Sequence, residues 1–304
     1  MKQKIEKDEI AWLDFSEPET SDLLFLKEEF HLNKSVLAQL PVPIKRPKIE
    51  EFGGYLFLVL HFPVFNEETR QTVPTELDFI ITPSNIITLH HEPIPALEKF
   101  FDECLNQEIS REEHFKSTGY LLFCVLDKLI DSCLPMLDHI YENIEKIEDK
   151  IFLGHEKEML AESAIVKRDI IDFRRTIKPQ RSALEILAKK VNRFFGQDLD
   201  FVTQEVLGSN IRVWNILENH KELIESIEAT NESLLSYKTN NIVKVLTLLS
   251  FITFPLSLIA SIFAMNTSFN YSMIRNPYAF WVVIGGMGLV TLVMLVYFKK
   301  KKWL

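Results

Sequence analysis

Two long stretches without a charged residue constrain this chain more than any other feature: residues 245 to 274 and residues 279 to 298. About 20 apolar residues at 1.5 Å rise each cross a hydrocarbon core of about 30 Å, so each stretch is long enough to span a membrane once. Only helices or closed barrels satisfy their backbone polar groups in lipid, so the two stretches are expected to be helices. The first loses its lipid character at Ala264-Met265-Asn266, where the polar run Asn-Thr-Ser-Phe-Asn-Tyr-Ser begins. The second ends in Lys299, Lys300, Lys301, Lys302 and Trp303, a basic anchor with an interfacial aromatic of the kind that stays on the cytoplasmic side. Two spans with an inside C-terminus place the N-terminal body inside as well and turn the intervening loop outward. The expectation is a multi-pass protein of the cell (inner) membrane with both termini cytoplasmic.

Charge divides the chain in the same place. All 43 Asp and Glu lie at or before Glu232, whereas residues 244 to 304 carry only Lys244, Arg275 and Lys299 to Lys302. A net charge of −9 therefore hides an acidic body and a basic membrane end, which suits a lipid bilayer as partner and excludes nucleic acid. Cys104, Cys124 and Cys133 show no metal-ligand spacing and read as small buried hydrophobes in a reducing compartment. The N-terminus, with a charge every second or third residue, does not read as a signal peptide. No phosphate loop, dinucleotide fingerprint, zinc-protease helix or nucleophile elbow occurs, so enzymatic readings have no foothold. His90-His91-Glu92 reads as an exposed turn or, alternatively, a metal-ligand group. The dense carboxylates Glu142, Glu145, Glu148, Asp149, Glu156, Glu158 and Glu162 read as a solvated face, with a cytosolic divalent-ion sink as the alternative.

Coarse patterning gives β-like runs at residues 55 to 65 and 75 to 91, the second broken by a Pro-Ser-Asn turn, and helical periodicity from about residue 117. Ile140, Ile144, Ile147 and Ile151 form the apolar side of one helix, Gly154-His155 turns it into a second, and a third begins near Phe201 with no proline before Pro255. That third helix is expected to run into the first span for roughly 60 residues, about 90 Å at helical rise. In the span itself Asn240, Val243, Thr247, Ser250, Phe254, Ser257, Ser261 and Ala264 recur in alternating steps of three and four, one stripe of a helix, with Thr253 off it. Either the small hydroxylated residues ease helix packing and bond to their own backbone, or the stripe lines a narrow aqueous path with Val243 and Phe254 as apolar constrictions. Two spans cannot enclose a pore, so the second possibility requires an oligomer.

The stretch "NNIVKVLTLLSFITFPLSLIASIFAMN", the closing "VMLVYFKKKKWL", and upstream "RPKIEEFGGYLFLVLHF" and "IVKRDIIDFRRTIKPQRSALEIL" resemble the CorA-type divalent metal ion transporters over most of the chain. The resemblance implies an α+β cytosolic domain followed by long helices and two transmembrane α-helices, assembled as a homopentameric funnel. It also implies transport of divalent cations, Mg²⁺ foremost and Co²⁺ or Ni²⁺ with it, with no cofactor. Its domain plan would be a cytosolic α/β domain at 1–116, a helical hairpin at 117–200 and a stalk helix at 201–244. A pore-lining helix at 245–266, an external loop at 267–278, a second span at 279–298 and a basic tail at 299–304 would follow. The family's Gly-Met-Asn signature reads here Ala264, Met265, Asn266, and the matching pore positions are Asn240, Val243, Leu246, Phe254, Ser257 and Asn266. Leu246 and Thr247 compete for one ring. Glu205 falls where the family places a carboxylate of its regulatory metal site, which implies a regulatory role for Mg²⁺ there besides transport. The acid that many members carry after the motif is missing, and Arg275 stands in that loop. A ZntB-like Zn²⁺ transporter of the same fold and a non-conducting membrane-anchored metal sensor are the alternatives.

Overall fold

The computed structural model describes residues 2–66, 71–264 and 278–301. It divides into two units, Met1–Ala229 and Thr230–Leu304. The first unit is built on a six-stranded sheet. Its strands are β1 (Lys2–Lys7), β2 (Ile10–Ser16), β3 (Lys48–Glu51), β4 (Leu56–Asn66), β5 (Gln71–Ile81) and β6 (Asn85–His90). They lie in the order β1-β2-β6-β5-β4-β3, antiparallel throughout except where β2 pairs parallel with β6. The β5–β6 hairpin turns at Pro83-Ser84, with Thr82 and Asn85 closing it through a backbone bond of 2.9 Å. β4 reads Leu-Phe-Leu-Val-Leu without alternation because both its faces are covered, as in strands buried in a layered α/β unit.

On one face Leu13, Phe15, Phe57, Val59, Ile80, Ile87 and Leu89 pack beneath α1 (Thr20–Phe30) and α2 (Lys34–Leu37), through Leu26 and Val36. Trp12 points to the other face and meets Phe101 of α3 (Pro95–Asn106) edge-on at 4.8 Å. Helices α4 (Glu108–His114), α5 (Thr118–Asp131), α6 (Cys133–Phe152) and α7 (Glu156–Phe195) follow. A β-carbon on Gly119 would stand 2.5 Å from Leu199 and 2.9 Å from Phe195, so only glycine permits α5 to start where it does. In α6 the residues Ile140, Ile144, Ile147 and Ile151 are all buried, and Gly154, at φ 98°, makes the turn into α7.

The long helix α8 (Asp200–Ala264) begins in the first unit, where Val206, Val213, Leu217, Ile224 and Ile227 are buried at helical spacing. Ion pairs lace α7 to this part of α8: Lys167 reaches Glu228 at 2.6 Å and Arg174 reaches Glu218. The second unit consists of the rest of α8 and α9 (Ala279–Lys300). Each of these two helices is long and apolar enough to cross a membrane.

Two sequence expectations are corrected here. His90 is no part of an exposed turn: it is 1% exposed, its Nε2 lies 3.4 Å from Asp14 Oδ2, and its Nδ1 is 2.8 Å from the Glu92 carbonyl. Burial, the largest single influence, would lower its pKa, but the Asp14 carboxylate, with the Glu92 carbonyl and the Glu98 charge, raises it overall. Glu156, placed on a solvated face with its neighbours, is 5% exposed, whereas Glu142, Glu145, Glu148, Asp149 and Glu158 do face solvent. Cys104 and Cys133 are buried, and burial pushes their thiols up to about 11 and about 12, which leaves them unreactive at neutral pH.

Candidate functional site

The stripe predicted on the first span can be placed directly on α8. Asn240, Val243, Leu246, Ser250, Phe254, Ser257, Ser261 and Ala264 are all exposed, Phe254 by 75%, and Thr247 is half-buried. Lys244, Leu248, Ile252, Pro255, Leu256 and Ile259 are the shielded positions, Leu248 at 6%. At 3.6 residues per turn the two sets point about 150° apart. On α9 the shielded positions Val283, Met287, Val290, Thr291, Met294 and Phe298 also make one side, and Phe251 meets Phe298 with ring centroids 6.5 Å apart. The second span therefore packs against one side of α8 and leaves the hydroxyl-bearing stripe uncovered. Between Leu246 and Thr247, Leu246 is the more open, while Thr247 lies at the edge toward the shielded side.

Val243, Leu246, Thr247, Ser250, Phe251 and Phe254 together wall a shallow depression of about 310 Å³ on that side. Its hydroxyls are fixed by their own helix: Thr247 Oγ1 donates to the Val243 carbonyl at 2.7 Å, and Ser250 Oγ to the Leu246 carbonyl at 2.9 Å. Thr253, off the stripe, donates in the same way to Leu249. Back-bonding is thus common to stripe and non-stripe positions and does not by itself argue against a wet face. Each such hydroxyl has spent its proton on the backbone and keeps lone pairs to offer outward as acceptors. Pro255 sits inside the helix, where it withholds the N–H that the Phe251 carbonyl would otherwise receive. Met265 and Asn266, which complete the motif begun by Ala264, and Arg275 lie outside the described residues.

Glu205 is exposed on α8 in the first unit. Nearby, Asp127 of α5 has its pKa raised, first by burial and then by the charges of Asp131 and Glu205, while a 3.4 Å hydrogen bond from Ser209 Oγ works the other way. The sequence singled out Glu205 but not Asp127 or Asp131, because their neighbourhood depends on α5 packing against α8 and has no local motif. Among the described residues no three His, Cys, Asp or Glu side chains stand close enough together to hold a metal ion within one chain.

The sequence matches the family described as "CorA-like Mg2+ transporter protein" over residues 7–300. The chain is 29% identical over 300 residues to the cobalt/magnesium transport protein CorA of Thermotoga maritima, an alignment covering 97% of this chain and 83% of that one. Its fold superposes on the complete structure of the CorA magnesium transporter from Methanocaldococcus jannaschii with a TM-score of 0.83 at 20% identity, over 99% of this chain and 93% of that one. The ZntB cytoplasmic domain from Vibrio parahaemolyticus is similar over 75% of this chain and 88% of its own, with a TM-score of 0.62 at 15% identity. The first of these two likenesses establishes the whole fold, a soluble α+β part followed by long helices, two of them long and apolar enough to cross a membrane, and the second the fold of the soluble part. With a match that leaves out only the first six and last four residues, the chain belongs to the CorA-like Mg²⁺ transporter family.

Proposed function

We propose that this protein is a homopentameric, channel-like transporter that admits divalent cations to the cytoplasm, Mg²⁺ foremost and Co²⁺ and Ni²⁺ with it. The observation that carries the reading is the uncovered stripe on α8, opposite the side that α9 shields. Five copies brought together along it would enclose an axis lined by Asn240, Val243, Leu246 or Thr247, Ser250, Phe254, Ser257 and Ser261. Hydroxyl and amide oxygens would hold the water shell of an ion that dehydrates reluctantly, and the Phe254 and Val243 rings would close the path by dewetting. The driving force needs no nucleotide: two charges falling through 100 mV release about 4.6 kcal/mol.

At the outer mouth, Ala264, Met265 and Asn266 form the selectivity ring, with five Asn266 carboxamide oxygens accepting from the hydrated ion. The domain plan set out from the sequence is retained, with both termini and the body at 1–244 in the cytoplasm and the loop 267–278 outside. Asp127, Asp131 and Glu205 are the carboxylates best placed to sense internal Mg²⁺.

Flux of purified protein in proteoliposomes tests the reading. Mg²⁺ entry should be inhibited by Co²⁺ and Ni²⁺, and Asn266→Ala should lower it at least tenfold. Zinc-dependent flux that Mg²⁺ does not compete with would assign the protein to ZntB-like transport instead, and absence of flux would make it a membrane-anchored sensor. The loop supplies a further expectation. Five Arg275 side chains repel cations at the mouth, an effect screened over about 8 Å at physiological salt. Arg275→Glu should therefore raise uptake about threefold at low ionic strength and have no effect at high salt, and unchanged uptake at low salt would remove Arg275 from the account.

A further inference from the structure

Away from the membrane helices, the groove between α7 and α8 holds a cavity of about 540 Å³, walled by Lys178, Arg181, Ser182 and Glu185 on one helix and Asn210 and Trp214 on the other. Asn210 is 1% exposed, yet its Nδ2 has no hydrogen-bond partner among the described residues. A buried donor left unmade costs about 1–3 kcal/mol, and an amide nitrogen can be satisfied only by an acceptor such as an oxygen. The same cavity carries a spare cation. Lys178 Nζ stands 5.3 Å above the Trp214 ring and forms no ion pair among the described residues, whereas Arg181 is engaged by Glu185 at 2.8 Å and Arg174, also over Trp214, by Glu218.

A buried donor lacking its acceptor and an ammonium without an ion pair, both lining one groove, are what an oxyanion would satisfy. Its volume falls in the range of roughly 300–1,000 Å³ typical of pockets that take complete small molecules, with room for more than a phosphate ion. A second cavity of about 440 Å³ shares Glu185 and is walled by Lys189 and by Thr203, whose hydroxyl is likewise buried and unpartnered. We propose that this groove binds a phosphorylated small molecule of nucleotide size, its phosphoryl oxygens held by Lys178 Nζ and Asn210 Nδ2 and competing with Glu185 for Arg181. The proposal is independent of ion conduction, since it concerns residues 177–214 alone.

Binding of ATP and of inorganic phosphate to the detergent-solubilised full chain, in metal-free buffer at low salt, is the test, followed by calorimetry. ATP should bind at least tenfold more tightly than phosphate. Lys178→Gln and Asn210→Asp, which keeps the shape but turns the donor into an acceptor, should each weaken ATP at least tenfold. Glu185→Gln, by freeing Arg181, should tighten it about threefold or more. Lys178 is exposed and Glu185 half-buried, so their variants fold even if Asn210→Asp does not. The proposal is overturned by absence of ATP binding to the unmodified chain, by equal affinity for phosphate, or by ATP affinity that Lys178→Gln and Glu185→Gln both leave within twofold.

Discussion

Ser250→Leu is expected to cut Mg²⁺ uptake at least a hundredfold, while Thr253→Leu, three residues on, is expected to leave it within twofold. The pair is matched in chemistry. Both residues are exposed, both hydroxyls donate to the carbonyl four residues earlier, and both lie in the same two turns of α8. They differ in direction by about 60°, Ser250 lying near the middle of the stripe and Thr253 just beyond its margin. In a fivefold assembly the Ser250 substitution removes five acceptors from the axis and adds five isobutyl groups between the Val243 and Phe254 rings. A hundredfold loss corresponds to about 2.7 kcal/mol, which five lost hydrogen bonds of about 0.5–1.5 kcal/mol each can supply before any steric effect is counted. Uptake of ²⁸Mg or of Co²⁺ into proteoliposomes measures it. Equal losses in both variants would mean that this side of the helix does not line the path.

The second large effect concerns the soluble unit and pH. Asp78 lies in mid-strand on β5, 3% exposed, and its Oδ1 has no partner among the described residues. Burial, helped by the neighbouring Glu76 charge and opposed by Lys48, pushes its pKa up to about 8. A carboxyl that folds neutral and unfolds ionised costs nothing at pH 4. It destabilises the fold increasingly as pH rises from its unfolded pKa of about 4 to its folded value near 8, and the cost then stays level. Asp78→Asn is therefore expected to stabilise the protein by at least about 2 kcal/mol at pH 8, roughly 5 °C in melting temperature, with no gain at pH 4. Thermal melts of the two proteins across that range decide it, and a gain independent of pH would show that ionisation of Asp78 is not its source.

The two membrane helices were legible from the sequence because a single property, absence of charge over 20 residues or more, specifies them, and the stripe was legible because helical period needs no tertiary information. The isoleucine seam of α6 and the turn at Gly154 were readable for the same local reason. What escaped depends on distant pairing. The parallel join of β2 with β6 brings together residues some 70 positions apart, and it is this join that buries His90 beside Asp14 and Thr88. In the same way Glu156 opens α7 amid exposed acids and is buried only because of how α7 packs, and Asp127 met Glu205 only through the approach of α5 to α8. Amphipathic period tells which side of an element is greasy. It does not tell which polar residue will be trapped when two such sides close.

The committed hydroxyl protons of Thr247 and Ser250 carry one more consequence. Where this side lines an ion path, a chloride ion entering beside them would meet oxygen lone pairs and no O–H free to donate to it, so anions would be rejected along this wall without a single fixed negative charge. Sorting by sign is then a property of how a short side chain folds back on its own turn, and it would survive any change of pH between the titration of carboxylates and that of lysine.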